Sequence, residues 1–380
     1  MSKPMTYAMI GGGTDAFIGE VHRRAIALDS SATLVAGALS STPERSVQSA
    51  KLLGLTEDRS YGTYQELFER ENARQDPVDF VVIVTPNDTH YPIAKAALEN
   101  GFHVVMDKPS THTSVQSQEL SELASKHNLL CCVTYNYTGY PMVRQAKAMV
   151  REGALGSIRK VIIEYHQGWL AADLESTGQK QAAWRVDPSR AGLGGALGDI
   201  GTHAENLGSF ITGLEMESVY ADLNAFVTGR QLDDDASVLI KYKGGAHGII
   251  SASQVCIGKG NGLSIRIYGD QGALHWNQEA PDELQFTQID SNTMTYTRGG
   301  PGLNTDAEIS SRIPQGHPEG YLEAFANIYR GVVDAIDAKR EGSQETRLSQ
   351  FLPTIKDGAK GVQFVERCVE SASKGCSVKY

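Results

Sequence analysis

The sequence predicts two domains: an N-terminal α/β domain built on a doubly wound parallel sheet, then an α+β domain with a large, mostly antiparallel open sheet. Three observations predict it. Short apolar strands alternate with amphipathic helices through the first third of the chain, the rhythm of repeated strand-helix-strand units. From about Tyr135 long alternating strands take over, joined by hairpin signals such as Lys243-Gly244-Gly245 and Asp270-Gln271-Gly272. The length, 380 residues, exceeds what one compact core organises. The expected domains are therefore residues 1–134 and 135–380.

The elements follow in order. Tyr7 to Gly11 reads as a strand, and Gly19 to Leu28 as a helix with Val21, Ala25 and Leu28 on one side. Thr33 to Leu39 is the second strand, and Pro43-Glu44 open the next helix, where proline suits the first turn. Phe80 to Val84 is an uninterrupted apolar run, as in a strand covered on both faces. Tyr91 to Leu98 is helical and stops at Asn100-Gly101. Phe102 to Met106, a helix near Ser114 to His127, and Leu129 to Thr134 complete the first domain. In the second, helices are expected over Pro141 to Glu152 and Gly201 to Thr212. Strands are expected at Ile158–His166, Ser218–Phe226, Ala236–Tyr242, His247–Ser253, Leu263–Tyr268, Ala273–Trp276, Leu284–Ile289 and Thr293–Thr297. Gly299 to Gly316 reads as a long loop, and helices at about Pro318–Ala338 and Pro353–Ser371 dock on the body.

Composition narrows the function. A net charge of −10 argues against a nucleic-acid partner, which needs a basic face. No apolar run reaches the ~20 residues that cross a bilayer, and no signal-type segment follows Met1. The five cysteines, Cys131, Cys132, Cys256, Cys368 and Cys376, are odd in number and frame no zinc site. A cytoplasmic protein with reduced thiols and no metal is expected, with a small molecule as its partner.

Gly11-Gly12-Gly13 directly follows the first strand, and Gly19 opens the next helix. Glycines there let the backbone approach a pyrophosphate, whose charge suits a helix N-terminus. This is the dinucleotide-binding pattern of a Rossmann domain. The spacing departs from the usual one: Ala16 stands where a third glycine is expected, so Thr14-Asp15-Ala16-Phe17 is an insertion. Gly11, Gly13, Phe17 and Ile18 are the loop's candidate cofactor contacts. An acidic residue at the end of the second strand would bind the ribose of NAD; Ser40, Ser41 and Arg45 instead suit the phosphate of NADP, although Glu44 lies beside them. NADP is favoured, with NAD as the alternative. Thr85, Pro86, Asn87 and His90 follow the third long strand at its carboxyl end, the edge where ligands lie in an open parallel sheet.

Asp107-Lys108-Pro109 ends the fourth strand on that same edge. A second cluster, Gly194 to His203, places Asp199 and His203 four residues apart, on one face of a helix starting there. Carboxylate, imidazole and ammonium form a proton-handling set suited to alcohol oxidation. Taken together, in this order, these motifs resemble the Gfo/Idh/MocA family, which includes glucose-fructose oxidoreductase and inositol dehydrogenases. The resemblance runs from residue 7 to about 330, with Asp107 replacing the usual glutamate. It implies that Lys108 hydrogen-bonds the reacting hydroxyl, that His203 is the general base, and that Asp199 orients substrate or imidazole. It also implies a cis bond between Lys108 and Pro109, and contact of Asp107 and Lys108 with the cofactor.

The substrate side is drawn from Tyr135, Asn136 and Tyr137 after the fifth strand, Trp169, the run Trp184-Arg185-Val186-Asp187, and His317 with Tyr321. Aromatic faces beside Arg, Asp and His make a pyranose pocket, because sugars present both CH patches and hydroxyl rows. Arg185 could alternatively grip an anionic substituent such as a uronate carboxylate. The expected activity is oxidation of a secondary alcohol of a sugar, glycoside or cyclitol. Two other activities are known on this scaffold: glycosidases that oxidise transiently, and a non-catalytic cofactor sensor. A homodimer or homotetramer is expected.

Overall fold

The computed structural model describes residues 5–14 and 16–380; Asp15 of the expected insertion lies outside them. In chain order the elements are β1 (Met5–Gly11), α1 (Phe17–Leu28), β2 (Ala32–Ala38), α2 (Pro43–Leu52), α3 (Tyr64–Asn72), β3 (Phe80–Val84), α4 (His90–Glu99), β4 (His103–Met106), α5 (Ser114–Lys126), β5 (Cys131–Val133) and α6 (Pro141–Arg151). There follow β6 (Ile158–His166), α7 (Lys180–Arg185), α8 (Pro188–Ala191), α9 (Thr202–Thr212), β7 (Met216–Asn224), β8 (Asp235–Tyr242), β9 (His247–Ser253), β10 (Gly262–Gly269) and β11 (Gly272–Asn277). The chain ends with β12 (Glu283–Gln288), β13 (Met294–Thr297), α10 (Thr305–Glu308), α11 (Tyr321–Glu341), α12 (Ile355–Lys374) and β14 (Val378–Lys379).

The chain divides into two compact units, residues 1–136 with 321–359, and residues 137–320 with 360–380. Among the described residues, the first unit carries a five-stranded parallel sheet of order β2-β1-β3-β4-β5. Both of its faces are covered, which is why β3 is apolar throughout. Successive residues alternate between two cores: Ala8, Ile10, Val81 and Ile83 pack with Leu67, Phe68, Ile93 and Leu120, while Tyr7, Met9, Phe80 and Val82 pack with Val21 and Ile26.

α11 belongs to this second core. Phe325, Ile328, Tyr329, Val332 and Ile336 are all buried in it, at about 1.5–3 kcal/mol for each large side chain. The chain therefore returns to its first unit after residue 320, whereas the sequence pattern assigned everything from 135 onwards to the second domain. Local periodicity identifies an apolar stripe but not the core it enters. α3, capped by the Thr63 hydroxyl on the Glu66 amide, was also not foreseen. Its stretch is rich in charge and shows only Leu67 and Phe68 as core residues.

The second unit holds a nine-stranded sheet of order β13-β12-β11-β10-β6-β9-β8-β7-β14. Its neighbours pair antiparallel except β6 with β9, which are parallel. Alternating burial along β8 shows one face packed and one face outward. No helix among the described residues is long and apolar enough to cross a membrane.

Candidate active site

The first unit presents a cradle at the carboxyl ends of its strands. Gly11 and Gly12 adopt φ of +77° and +70°, a turn that side chains disfavour. A Cβ on Gly19 would lie 2.4 Å from Gly12 Cα. The loop and α1 thus touch backbone to backbone, and Gly19 does the packing expected of a third glycine despite its late position. The Arg23 guanidinium holds the Gly12 carbonyl. Among the described residues no side chain caps α1 at Ala16, and such a helix end suits an anion. Phe17 is exposed and Ile18 half-buried. After β2, the Leu39 amide donates to Ser46 Oγ at 2.7 Å, and that hydroxyl donates to the Tyr61 carbonyl at 2.6 Å. Ser46 thereby fixes the strand end beyond which Ser40 is half-buried and Ser41 and Arg45 are exposed.

The next edge is made by two turns stapled together. His90, fully buried, places Nδ1 2.8 Å from the Pro109 carbonyl and Nε2 2.9 Å from the Thr85 carbonyl. Both ring nitrogens face backbone carbonyls, and the neutral ring donates its one N–H to one of them. Burial lowers its pKa, and the two carbonyls oppose that shift. His90 thus joins Thr85-Pro86-Asn87 to the Lys108-Pro109 turn, whose connecting bond is cis. Asp107 Oδ1 accepts from the Lys108 amide at 2.8 Å and from Thr134 Oγ1 at 3.2 Å. Asn87 is buried and Lys108 half-buried.

In the second unit Asp199 and His203 sit across a π-helical turn, Leu197–Gly201, that runs into α9. Such turns recur at functional sites. The turn is held from outside by Asp233, whose carboxylate accepts the Gly195 and Leu197 amides, each at 2.7 Å. A Cβ on Gly195 would lie 2.0 Å from the Asp233 carbonyl oxygen, so only glycine fits. Burial pushes the Asp233 carboxyl up to about 6, against the pull of those two amides. Asp199 Oδ2 accepts from Arg185 Nε at 3.0 Å and Gln254 Nε2 at 2.9 Å. The Arg185 guanidinium lies over Trp184 at 4.3 Å and Trp169 at 5.7 Å. Tyr137 meets the His203 ring edge-on at 4.9 Å.

The comparisons with known proteins agree with this geometry. Residues 5–135 match the oxidoreductase family with an NAD-binding Rossmann fold, and residues 143–275 match the GFO/IDH/MocA C-terminal domain. The chain belongs to the Gfo/Idh/MocA oxidoreductase family. It is 38% identical over 381 residues to the uncharacterized oxidoreductase YfiI of Bacillus subtilis, covering 99% of this chain and 96% of that one. It is 30% identical to levoglucosan dehydrogenase of Pseudarthrobacter phenanthrenivorans over 74% of this chain and 75% of that one. Among solved structures, an inositol dehydrogenase homolog from Azotobacter vinelandii complexed with NAD+ superposes with a TM-score of 0.95 at 38% identity, covering 100% of this chain and 98% of that one. The first unit is thus an NAD(P)-binding Rossmann domain, in a family whose members include sugar and cyclitol dehydrogenases.

The site residues expected from the sequence take different places in the structure. Asp199, His203, Arg185, Trp184, Trp169 and Tyr137 form one continuous cluster in the second unit. Arg185, foreseen as a substrate contact, has a carboxylate of its own chain as partner. His90, foreseen as a cofactor contact, is a staple between two backbone turns. Tyr135 is buried in the first unit's core, because the chain folds its ring inward behind β5. Asn136 is buried as well. Tyr321 packs edge-on against Phe325, and His317 is exposed on a loop whose carbonyl Arg298 grips. Asp233 and Gln254 were not foreseen. No motif marks them: each acts through a side chain far in sequence from the group it holds.

Proposed function

We propose that the protein is an NAD(P)-dependent dehydrogenase or reductase acting on a secondary alcohol of a neutral sugar, glycoside or cyclitol. The observation that carries this reading is the Arg185–Asp199 pair beside His203 and the Trp169 and Trp184 rings. The Arg185 cation of this cluster is already matched by a carboxylate, so a substrate carboxylate placed there would meet Asp199 as a second anion. Aromatic faces and hydrogen-bonding groups suit a neutral polyol. Relatives point the same way: one solved homologue is complexed with NADH and myo-inositol, and levoglucosan dehydrogenase with NADH and levoglucosan.

The cradle residues fit a dinucleotide. A Cβ on Gly11 would lie 2.7 Å from the Thr85 methyl, and one on Gly13 2.8 Å from the Leu39 carbonyl, so bare backbone lines the loop. The uncapped end of α1 would take the pyrophosphate. Ser40, Ser41 and Arg45 would hold the 2′-phosphate of NADP, which this reading favours over NAD. When bound, the nicotinamide supplies the acceptor or donor of hydride. The Lys108 ammonium donates to the reacting hydroxyl and stabilises its alkoxide character. The His203 imidazole takes the hydroxyl proton as the carbinol carbon gives up its hydride, and returns it in reduction. Asp199, kept in place by Arg185 and Gln254, accepts a hydrogen bond from an adjacent substrate hydroxyl.

The test is a panel of myo-inositol, scyllo-inositol, levoglucosan, glucose and glucuronate, each with NADP and NAD, read by the near-ultraviolet absorbance of reduced nucleotide. The reading expects a neutral member to be oxidised, faster with NADP, and glucuronate to lag. Preference for glucuronate would overturn the neutral-substrate assignment. Aglycone release from a glycoside without net nucleotide reduction would replace the reading with transient-oxidation glycosidase chemistry.

A further inference from the structure

Five side chains outside the proposed proton-transfer set form a continuous hydrogen-bonded chain, and the two tyrosine rings at its end contact His203. Asn261, in the loop before β10, is its hub. Its Oδ1 accepts from Tyr165 Oη at 2.7 Å and from Gln167 Nε2 at 2.8 Å, and its Nδ2 donates to Tyr137 Oη at 3.2 Å. Tyr137 and Tyr165 hydroxyls are 2.5 Å apart. Gln167 Oε1 accepts from the Trp169 indole at 3.0 Å.

The direction of every proton in this chain follows from one fact: an indole N–H only donates. Gln167 must therefore turn its oxygen to Trp169 and its amide N–H to Asn261. Asn261 must then turn its oxygen to Gln167, which leaves its NH2 for Tyr137. Tyr165 spends its proton on Asn261 Oδ1, so Tyr137 donates to Tyr165. No amide or hydroxyl in the chain can be flipped without setting two donors or two acceptors face to face, and at its tyrosine end those groups are buried.

The two ends of the chain close on one helical turn. At one end the Tyr137 and Tyr165 rings flank His203, with centroids at 4.9 and 6.2 Å. At the other, Trp169 lies under Arg185, which pairs with Asp199. Asp199 and His203 are four residues apart in sequence, so the contacts form a closed ring that begins and ends at the proposed site.

We infer that Asn261 is a positioning residue: it sets the orientation of His203 through the two tyrosines and couples that orientation to the tryptophan wall through Gln167. The inference rests on the reading of His203 as the proton acceptor. It also makes specificity and proton transfer interdependent, because a substrate that moves Trp169 moves the imidazole.

Two measurements test it. In 1H–15N spectra, with the Trp169 indole and His203 imidazole signals assigned by Trp169→Phe and His203→Ala, Asn261→Leu is expected to move both; an unmoved imidazole overturns the coupling, and this readout needs no turnover. The second is a double-mutant cycle with myo-inositol and levoglucosan. Asn261→Leu alone should lower kcat roughly 10–100-fold, as a displaced catalytic group does, while the KM for the dinucleotide is unchanged. In a His203→Ala background it should have no further effect. An equal loss in both backgrounds marks Asn261 as merely structural and overturns the proposal while the functional reading stands. No loss on His203→Ala alone instead rejects that reading. If Asn261→Leu does not fold, Tyr137→Phe, which keeps the ring and deletes only the hydroxyl, runs through the same tests with the same expected pattern.

Discussion

The turn carrying Lys108 and the turn carrying His203 are built on opposite plans. In the first unit the edge is close-packed backbone, bare glycine against helix, pinned by side chains near in sequence: Arg23 on the Gly12 carbonyl, Ser46 on the Leu39 amide and His90 between the Thr85 and Pro109 turns. In the second, the turn from Gly195 to His203 is held by side chains that arrive from far along the chain, namely Asp233, Gln254 and Arg185. A backbone-built edge tolerates change only in side chains that point away from it. A side-chain-built edge can be retuned residue by residue.

The largest expected effect falls on the first edge. Lys108→Ala should lower kcat by roughly 10²–10⁴ while the dinucleotide still binds, since it removes a proton-handling group and no cradle atom. Unchanged turnover would reject its assignment. The pH response should separate the units next. Burial lowers the pKa of His22, in the first unit, to about 4, where its Nδ1 lies 2.5 Å from the Tyr329 hydroxyl. The unfolded chain therefore binds the proton first, and this unit should lose stability on the order of 2–3 kcal/mol as pH falls from about 6.5 to 4. Asp233, raised to about 6, has the opposite sign: its contribution is present at low pH and lost as pH rises through 6. Hydrogen exchange resolved by segment between pH 4 and 7 checks this. Parallel responses in both units would count against it, as would a first-unit response undiminished in His22→Gln or a second-unit response undiminished in Asp233→Asn.

Gly19→Val sharpens the comparison further. It has no side chain to push aside, only the Gly12 backbone, so overpacking of about 1–3 kcal/mol should weaken dinucleotide binding roughly 10–100-fold by titration. Arg185→Ala, on the side-chain-built edge, should cost about ten-fold in kcat/KM with dinucleotide affinity unchanged, in line with loss of one charged hydrogen bond. The smallest effect is expected for Arg45→Ala: a rise of less than about ten-fold in KM for NADP, with NAD unaltered, for an exposed charge. Equal changes for both nucleotides would break the NADP preference.

This contrast also explains what could be read in advance. The glycine loop, Thr85-Pro86-Asn87, Asp107-Lys108-Pro109 and the Asp199/His203 spacing are contiguous, so one stretch of chain carries both the conformation and the chemistry. The parallel character of the first sheet followed from the alternation of apolar strands with helices. The clamps on the second turn are contiguous with nothing they hold: Asp233 lies in an acidic run, and Asn261 among glycines and lysine, with no pattern to mark them. Tyr135 and α11 were misplaced on related grounds. The sequence shows that a ring or stripe is apolar, but which core receives it is decided by the tertiary fold.

The proposed reaction is hydride transfer from a substrate carbinol carbon to a nicotinamide. Mass spectrometry of the nucleotide recovered after incubation of the protein with NADP and myo-inositol deuterated at its carbinol carbons tests it directly. Reduced nucleotide one mass unit heavier than the unlabelled form is the predicted result. Reduced nucleotide without deuterium, or none at all with either this polyol or levoglucosan labelled in the same way, would contradict it.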